Sequence, residues 1–380
     1  MTGHAKSKID VKCTVAEVAA AMERLAPTGL AQSWDNVGLL AGDPAAAVRR
    51  VLTCIDLTHP VVDEAIEGEA EFIVAYHPPI FKPIRSLRAD SAGTDAVVHR
   101  CIRHGLAIYA AHTALDAAEG GTNDVIADLC GAREVEPLEY VDAPGGGECK
   151  LVVFVPPAQS EAIAEAMFAA GAGRIGDYTR CGFRVLGRGS FFGDAAANPT
   201  VGERGRMEFV DEIRLETVVP AKRLPPVVAA MLKAHPYEEP AFDVYPLQGK
   251  PTGGIGRIAR LLKPSSLSNL ARRLKRATDA TSVQIVGPSD RLVSRAIVVV
   301  GAAGSLPFRI ALTPSDVIVT GEIRHHDALT IARLGCTAIA LGHWASERPV
   351  LASLAARLSS MLGGVDVQVS AADRDPFHPA

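Results

Sequence analysis

The sequence predicts an α/β protein: a two-half domain, with a parallel or mixed sheet and helices on both faces, interrupted by an inserted ferredoxin-like α+β domain. Strand-like and helix-like segments alternate over residues 1–143, as in a parallel sheet covered by helices. Residues 148–248 instead follow the order β-α-β-β-α-β, which is the ferredoxin-like pattern. The alternation of strand-like and helix-like segments returns over residues 253–380, so we expect the two outer segments to form one domain.

The first half is predicted to begin with a helix. Thr14 and Glu17 are spaced as a capping box, and apolar residues follow at helical spacing to about Ala26. Short apolar runs bounded by polar residues then predict alternating strands and helices. They are a strand at 50–55, a helix at 58–66, a strand at 72–76, a helix at 97–104 and a strand at 106–111.

Two glycine-rich segments, 144–147 and 249–256, predict the linkers on either side of the insertion, and 253–256 is interpreted as a hinge or turn. Within the insertion, the predicted strands are 150–155, 184–190, 212–219 and 241–247, and the predicted helices are 160–169 and 226–234. Beyond it we predict a helix at 267–277 and strands at 296–300, 317–320 and 338–341. The last two strands lead into polar loops, as the strand at 72–76 does, which indicates a weak internal duplication.

Composition is that of an ordinary globular protein, with 48% hydrophobic and 22% charged residues. The formal charge of −4, without a basic stripe, argues against nucleic-acid binding. Seven scattered cysteines with no C-x-x-C pair argue against a disulfide framework or a zinc ribbon, and favour a reducing cytoplasm. Residues 1–11 are polar and do not resemble a signal peptide, and no apolar run approaches the length of a membrane span.

Side chains suited to metal binding follow several of the predicted strands. His77, His112, Glu322 and His343 each lie just beyond an apolar run. Since open α/β sheets bind ligands at the carboxyl ends of their strands, the fold can bring these loops together. Imidazole and carboxylate groups are ligands of borderline divalent metals. We therefore expect a metal site at this edge of the sheet.

His343 and Glu347 are four residues apart, so a helix that begins just after Gly342 would place both on one face. A metal ion can contact such a pair. His112 and Asp116 have the same spacing; Asp116 is then a direct ligand, and His112 is either a ligand or a residue that orients one. A surface ion pair and a helix cap remain alternative interpretations of these spacings.

His77 precedes Pro78 and Pro79, which fix the loop rigidly, as suits a metal ligand; an exposed histidine at an ordinary turn is the alternative. Residues 301–305 form a small-residue loop whose N–H groups could hold a phosphate, although the lysine of a P-loop is absent. The segment 322–327 fits acid–base catalysis, support of the metal ligands or a helix N-terminus. Its titratable residues are Glu322, His325, His326 and Asp327.

Six stretches in order carry a closer resemblance, among them Ser-Trp-Asp-Asn-Val-Gly-Leu, His-Pro-Pro-Ile-Phe and His-Pro-Tyr-Glu-Glu-Pro. They lie at 33–39, 77–81, 112–116, 235–240, 320–327 and 342–347. With these motifs the chain resembles the NIF-three-like dinuclear-metal family, whose members are often named GTP cyclohydrolase I type 2 homologues. The resemblance spans nearly the whole chain. It implies two divalent metal ions (Zn, Fe, Mn or Ni), with His77 and Asp116 on one, His343 on the other and Glu347 bridging both.

The chain departs from the family pattern at Tyr76. The family commonly has two adjacent histidines where this chain has Tyr76 and His77, so one usual ligand of the second metal is missing. A phenol is a poorer ligand at neutral pH because its pKa is near 10. Either His112 or water takes that place, or the second site is weak.

Two functions stay open. The first is a metal-dependent hydrolase that acts on a nucleotide such as GTP or on a phosphoester, with Glu322 or one of His325 and His326 as the catalytic proton carrier; His326 is our choice of the two. The second is a non-enzymatic metal-binding scaffold or regulator. The resemblance also implies a ring-shaped homo-oligomer, often a hexamer in this family. We expect a small-molecule substrate and, because no apolar run is long enough to span a membrane, no membrane partner.

Overall fold

The computed structural model describes residues 13–141, 147–247 and 253–378. The polar N-terminal stretch lies outside these ranges, as do residues 142–146 and 248–252, which include most of the first predicted linker and half of the second. In the part of the chain that is described, no helix has the length and apolar character needed to cross a membrane. All seven cysteines fall within the described residues and are free thiols, as their spacing predicts.

Strands and helices alternate through most of the chain. The strands are β1 Gly38–Ala41, β2 Arg50–Cys54, β3 Phe72–Ala75, β4 Ala107–Ala110, β5 Ala132–Tyr140, β6 Glu148–Val155, β7 Gly182–Phe192, β8 Met207–Pro220, β9 Phe242–Pro246, β10 Gly254–Ser266, β11 Gln284–Val286, β12 Leu292–Ala302, β13 Asp316–Glu322, β14 Thr337–Ala340 and β15 Asp366–Val369. The helices are α1 Val15–Leu25, α2 His59–Glu67, α3 Thr94–Arg103, α4 His112–Ala117, α5 Thr122–Leu129, α6 Ser160–Ala169, α7 Leu224–Ala234, α8 Leu267–Ala277, α9 His325–Arg333, α10 His343–Glu347 and α11 Val350–Met361.

The chain divides into two compact units, Met1–Val141 with Pro251–Ala380, and Asp142–Lys250. The first unit contains a five-stranded sheet in the order β1-β4-β3-β2-β15 and a six-stranded sheet in the order β11-β14-β13-β12-β10-β5. Strands β15, β2, β3 and β4 run parallel, and so do β12, β13 and β14. The predicted α/β class with mixed sheets is therefore confirmed.

Burial of the parallel strands explains their sequences. Strand β3 is Phe-Ile-Val-Ala with all four residues buried, because helices cover both faces of a parallel sheet and leave no polar side. Helix α1 begins at the predicted capping box, in which the Thr14 hydroxyl accepts from the Glu17 N–H and the Glu17 carboxylate accepts from the Thr14 N–H. Its residues Val15, Val18 and Met22 enter the core beside β3.

The two outer halves of the chain exchange edge strands. β15, from the C-terminal half, pairs with β2, and β5, from the N-terminal half, pairs with β10. Each sheet therefore needs both halves to be complete. Neither edge strand was predicted from the sequence. β5 is polar and contains Pro137, and an edge position is where a strand tolerates proline.

The interpretation of 253–256 as a hinge or turn is wrong. Gly254 begins strand β10, whose first residues pair with β5 on one side and, from Arg257, with β12 on the other. Gly256 has φ +60°, and a Cβ there would lie 3.0 Å from the Val298 carbonyl oxygen. Here glycine allows close approach of neighbouring backbones inside a strand instead of making a turn.

The second unit has the predicted order of elements, β6-α6-β7-β8-α7-β9. Its sheet is antiparallel in the order β7-β8-β6-β9. Alternate residues of β6, Leu151, Val153 and Val155, pack against Ile163 of α6 and Met231 of α7. That this unit is an inserted domain of ferredoxin-like type, bounded at 148 and 248, stays a proposal.

Candidate metal centre

The candidate site lies in the first unit, at the carboxyl ends of parallel strands from both of its sheets. Asp56 and His77 come just after β2 and β3, and His112 opens helix α4 after β4. From the other sheet, Glu322 ends β13, and His343 follows β14. Two sheets thus present their ligand-binding edges to one another, as their parallel topology favours.

Three side chains converge in this place: His77, His343 and Glu347. Their ligand-capable atoms all lie within 4.8 Å of one another. His77 Nε2 lies 3.4 Å from Glu347 Oε2, and His343 Nε2 lies 3.2 Å from Glu347 Oε1. Each histidine therefore directs the same ring nitrogen toward one carboxylate, which is the donor set that a divalent ion requires.

The opposite ring nitrogen of each histidine is fixed by a second carboxylate. His77 Nδ1–H donates to Asp56 Oδ1 over 2.9 Å, and His343 Nδ1–H donates to Glu322 Oε1 over 3.0 Å. Since a carboxylate only accepts, these bonds assign the proton to Nδ1 and leave Nε2 for a metal.

Glu347 is buried, with 3% of its surface exposed. Its Oε2 atom has no hydrogen-bond partner among the described residues, which is costly for a buried carboxylate oxygen. A cation at the convergence of the two imidazoles would satisfy that oxygen. The residues present therefore fit a divalent metal ion, both in their chemistry and in what they leave unsatisfied.

In the metal-free protein, interactions within the cluster shift the pKa values of all three residues. Burial opposes the charge on His77, but the hydrogen bond to Asp56 and the negative charge of Glu347 outweigh it and raise the pKa of His77 to about 10. The hydrogen bond to Glu347 is the main cause that raises the pKa of His343 to about 9. Burial would raise the pKa of Glu347, but His343 and His77 lower it below its usual value.

Helix α10 places His343 and Glu347 through its short length and its entry residue. Gly342, with φ +91°, precedes the helix, and the i,i+4 spacing then sets both side chains on one face, as predicted. Gly301, at the end of β12, leaves room for them, because a Cβ there would lie 2.5 Å from Glu347 Oε1. Its N–H donates to Ser346 Oγ over 2.9 Å. That donor is therefore engaged and is not free to hold a phosphate.

Asp116 lies beside the cluster and is bound by Tyr76. The Tyr76 hydroxyl donates to Asp116 Oδ1 over 2.5 Å. Burial and the charge of Glu347 raise the pKa of Asp116 to about 6. Burial also raises the pKa of Tyr76 well above its usual value, so its phenol stays neutral. Tyr76 therefore acts here as a hydrogen-bond donor to Asp116.

His112 is held by a buried carboxylate, Asp35. Its Nδ1–H donates to Asp35 Oδ1 over 2.8 Å, while Asp35 Oδ2 accepts from the N–H and the hydroxyl of Thr113. Burial would raise the pKa of Asp35, but the bonds from His112 and Thr113 lower it. His112 has φ +27°, a strained conformation for a residue with a side chain. Its ring lies 5.4 Å from that of His77, so His112 is close to the cluster.

The segment 322–327 divides between the site and the surface. Glu322 reaches His343, but more than half of its side chain is exposed. His325 and His326 are exposed in the first turn of α9 and lie against each other, with ring centres 5.6 Å apart. Asp327 pairs with Arg324. The structure thus joins Glu322 to the cluster and leaves the catalytic assignment of His326 a prediction without a contact there.

Several residues that support the cluster were not predicted from the sequence. Asp56 follows a predicted strand, so the rule that selected His77 could have selected it. Asp35 falls within a recognised motif, yet its contact with His112 joins residues 77 positions apart. Asp373 had no such signal. It is buried near the C-terminus and accepts from the Ile55 N–H and from the side chains of Trp344 and Arg348.

The rim of the site is aromatic on one side and basic beyond it. Trp34 is 58% exposed and Phe81 49% exposed, with ring centres 6.0 Å apart, and Trp34 lies 6.0 Å from the ring of His112. The loop after His77 also carries Lys82 and Arg85, which line a shallow depression that begins at Pro78.

Comparisons with known proteins show similarity over nearly the whole chain. Residues 13–376 match the sequence model of the Duf34/NIF3 (NGG1p interacting factor 3) family. A Halalkalibacterium halodurans protein called GTP cyclohydrolase 1 type 2 homolog is 40% identical over 362 residues, which is 93% of this chain and 96% of the relative. A Mycobacterium tuberculosis protein of the same name is 40% identical over 370 residues, 96% of both chains.

Solved structures are similar over the same extent. A Bacillus cereus protein related to NIF3 aligns with a TM-score of 0.75 and 34% identity, covering 97% of this chain and 99% of that one. A Staphylococcus aureus protein aligns with a TM-score of 0.82 and 27% identity over the same shares.

Proposed function

The chain belongs to the Duf34/NIF3 (NGG1p interacting factor 3) family, and from its cluster of His77, His343 and Glu347 we propose that it is a metal-dependent hydrolase. The observation that carries this proposal is the convergence of two Nε2 atoms on a buried carboxylate with an unsatisfied oxygen. Such a carboxylate is stabilised by a cation.

We propose two divalent ions, as the resemblance implies. His77 and Asp116 would hold one and His343 the other, with Glu347 between them. The contact of Tyr76 with Asp116 supports a weaker second site, because the phenol occupies one of the carboxylate's oxygens and offers no anionic ligand itself. His112 is the candidate for an additional ligand of the second ion. Its Nδ1–H donates to Asp35, which leaves its Nε2 atom to bind a metal.

A divalent ion in this site supplies Lewis-acid polarisation of a substrate oxygen and a source of hydroxide at neutral pH. The chain's own residues position the metal ligands and transfer protons to the bound group. Asp56 and Glu322 hold the two histidines in the tautomer that leaves Nε2 available. Glu322 is also exposed, so it can exchange a proton with solvent and pass it to a group bound beside His343.

A nucleotide or another phosphoester is the proposed substrate class. The exposed rings of Trp34 and Phe81 offer an apolar surface for a base next to His112. Lys82 and Arg85 supply positive charge for phosphate on the loop that follows His77. The names of the relatives mention GTP cyclohydrolase, and GTP is therefore the first nucleotide to assay.

The competing proposal is a non-enzymatic metal-binding scaffold or regulator. One observation favours the scaffold. Both histidines are fixed through hydrogen bonds at Nδ1, and this arrangement suits a structural metal as well as a catalytic one. A closed coordination shell would support the scaffold, whereas an open position would support catalysis.

The test is metal content and turnover measured on the same preparations. Protein purified without chelator should contain bound divalent metal and should turn over GTP or a phosphoester. The H343A E347A variant should lose both properties. H59A E67A, which removes an exposed histidine and an exposed glutamate from helix α2, is the matched control and should keep both. If the wild type binds metal but its turnover is no higher than that of H343A E347A, the hydrolase proposal is wrong and the scaffold proposal stands.

A further inference from the structure

The second unit contains an open cavity of about 690 Å³, apart from the candidate metal centre. This volume falls in the range of small-molecule sites. Its walls come from the end of β7, the segment 193–201 and the turn 235–240, which sequence analysis singled out and the proposed hydrolase does not use. Aromatic and apolar lining residues include Phe154, Phe192, Val201 and Val210.

His235 shapes the turn that forms one wall. It is buried, its Nε2–H donates to the Phe154 carbonyl over 3.0 Å, and its Nδ1 accepts from the Tyr237 N–H over 3.1 Å. Burial lowers the pKa of His235, in agreement with a neutral ring. Both nitrogens are therefore engaged within the unit, and the role of His235 is to fix the position of Tyr237.

The segment 193–201, which forms another wall, is hydrogen-bonded to the same turn. The Asn198 N–H donates to Glu238 Oε2 over 3.1 Å, and the Thr200 hydroxyl donates to the Pro236 carbonyl over 2.9 Å. The cavity is thus bounded by two segments that hold each other in place.

Two polar groups in the lining are left unmatched. The Tyr237 hydroxyl is buried and has no hydrogen-bond partner among the residues described. Glu212, half-buried on β8, forms no ion pair within the described part of the chain. Both groups line the same cavity, and burial and the nearby Glu212 carboxylate raise the pKa of Tyr237 to about 12.

The lining is acidic. Among the residues that the structure describes, it contains four carboxylates and no lysine or arginine; the acids are Asp194, Glu212, Glu238 and Glu239. The nearby cation Arg214 lies 5.7 Å from the centre of the Phe154 ring and is paired with Glu216, so its charge is already matched. In the described residues, His, Cys and acid groups converge as a metal-binding triplet only at the centre in the other unit, which argues against a metal here.

We propose that this cavity binds a small organic cation, a primary ammonium group carried on an apolar body. The ammonium would donate to the Glu212 carboxylate and the Tyr237 phenol oxygen, which share the cavity wall and have no cation partner among the described residues. The apolar body would rest against Phe192, Val201 and Val210. Nothing in this assignment depends on the proposed hydrolase.

The experiment uses full-length protein, treated with chelator, and calorimetric titration at neutral pH. 2-Phenylethylamine, which is cationic, is compared with 2-phenylethanol, which has the same body without charge. We expect the amine to bind at least about tenfold more tightly. The E212Q variant should reduce amine binding to the level of the alcohol, and Y237F should weaken it less. Circular dichroism verifies that each variant is folded.

D177N is the matched control, since it removes an exposed acid of the same unit that does not line the cavity. It should bind the amine as the wild type does. Equal binding of amine and alcohol, or full amine binding in both E212Q and Y237F, would overturn the proposal. Loss of amine binding in H343A E347A would also overturn it, because the ammonium would then be binding at the carboxylates of the other unit.

Discussion

At the scale of single residues, the site depends on how carboxylates divide their contacts among histidines. Glu347 faces the Nε2 atoms of His77 and His343, while Asp56 and Glu322 hold the Nδ1 atoms. In the metal-free protein this arrangement favours imidazolium. A metal needs the neutral ring, so protons and metal compete for the same two nitrogens.

Metal binding should therefore release protons and strengthen with rising pH. With pKa values of about 10 and about 9, His77 and His343 are charged at pH 7 in the metal-free protein. Each must lose a proton to bind an ion, so affinity should rise from pH 7 toward pH 10. Calorimetry in two buffers of different ionisation enthalpy measures the protons released. A metal affinity that is independent of pH over this interval would contradict the argument.

The same shifts give the metal-free fold a defined pH dependence. Both pKa values are raised above the value of 6.5 for an unperturbed histidine. Their contribution to stability is therefore complete below about pH 6.5 and is lost as pH rises through 9 to 10. We expect the melting temperature of chelated protein to fall over this interval. Replacement of both histidines by asparagine should flatten the decline.

Tyr76 should limit the second metal. In Y76H, an imidazole replaces the phenol and Asp116 loses the hydrogen bond that engages its Oδ1 atom. We expect this variant to bind more metal per chain than the wild type, measured by elemental analysis after dialysis against limiting Zn²⁺. Y76F is the control, because it releases Asp116 without adding a ligand. Equal metal content in Y76H and Y76F would show that the missing histidine is not the limit.

At the scale of secondary-structure elements, the ends of strands do most of the positioning. Helix α10 is only five residues long, and its place depends on contacts with the ends of β12 and β13. Gly342 donates its N–H to the Gly321 carbonyl, and Ser346 joins α10 to Gly301. The pair His343 and Glu347 is thus held by the second sheet, and the second sheet meets His77 through it.

Gly301→Ala should damage the metal centre. The added Cβ would lie 2.5 Å from Glu347 Oε1, and the φ of +60° disfavours any residue with a Cβ. We expect metal affinity to fall at least about tenfold and stability to fall by about 1–3 kcal/mol. Gly304→Ala is the matched control, because it has a similar φ of +53° but open space around its Cβ position. If both variants bound metal equally, contact with Glu347 would not be the cause.

At the scale of the whole molecule, the metal-binding unit is assembled from chain segments far apart in sequence. β15 completes the first sheet and β5 completes the second, while Asp373 ties the C-terminal segment to Ile55 and Trp344. The site forms only when both halves are folded together. Truncation within either half would remove part of a sheet as well as part of the site.

The family resemblance predicts a ring of six chains. Size-exclusion chromatography with light scattering should give a mass close to six times that of one chain, independent of metal content. A monomeric mass at micromolar concentration would show that this chain does not follow the family's assembly.

Sequence patterns predicted much of the local structure. Helices α6 and α8 coincide with the predicted segments 160–169 and 267–277, because their apolar residues repeat at helical spacing. The i,i+4 spacing of His343 and Glu347 placed them on one helical face, as found. Edge strands such as β5 were not predicted, because a strand that is exposed along one edge carries little hydrophobic pattern. Gly254 was predicted to lie in a hinge or turn, because glycine occurs both in turns and at close backbone contacts.

The sequence by itself determined the α/β class, the family and the side chains suited to metal binding, since periodicity and short motifs are local properties of the chain. Only the tertiary structure decided how those side chains are partnered. Asp35 reaches His112 across 77 positions, and Tyr76 reaches Asp116 across 40. Such contacts are set by strand register and by the packing of two sheets. They decide which nitrogen carries a proton and which carboxylate oxygen stays available to bind a metal.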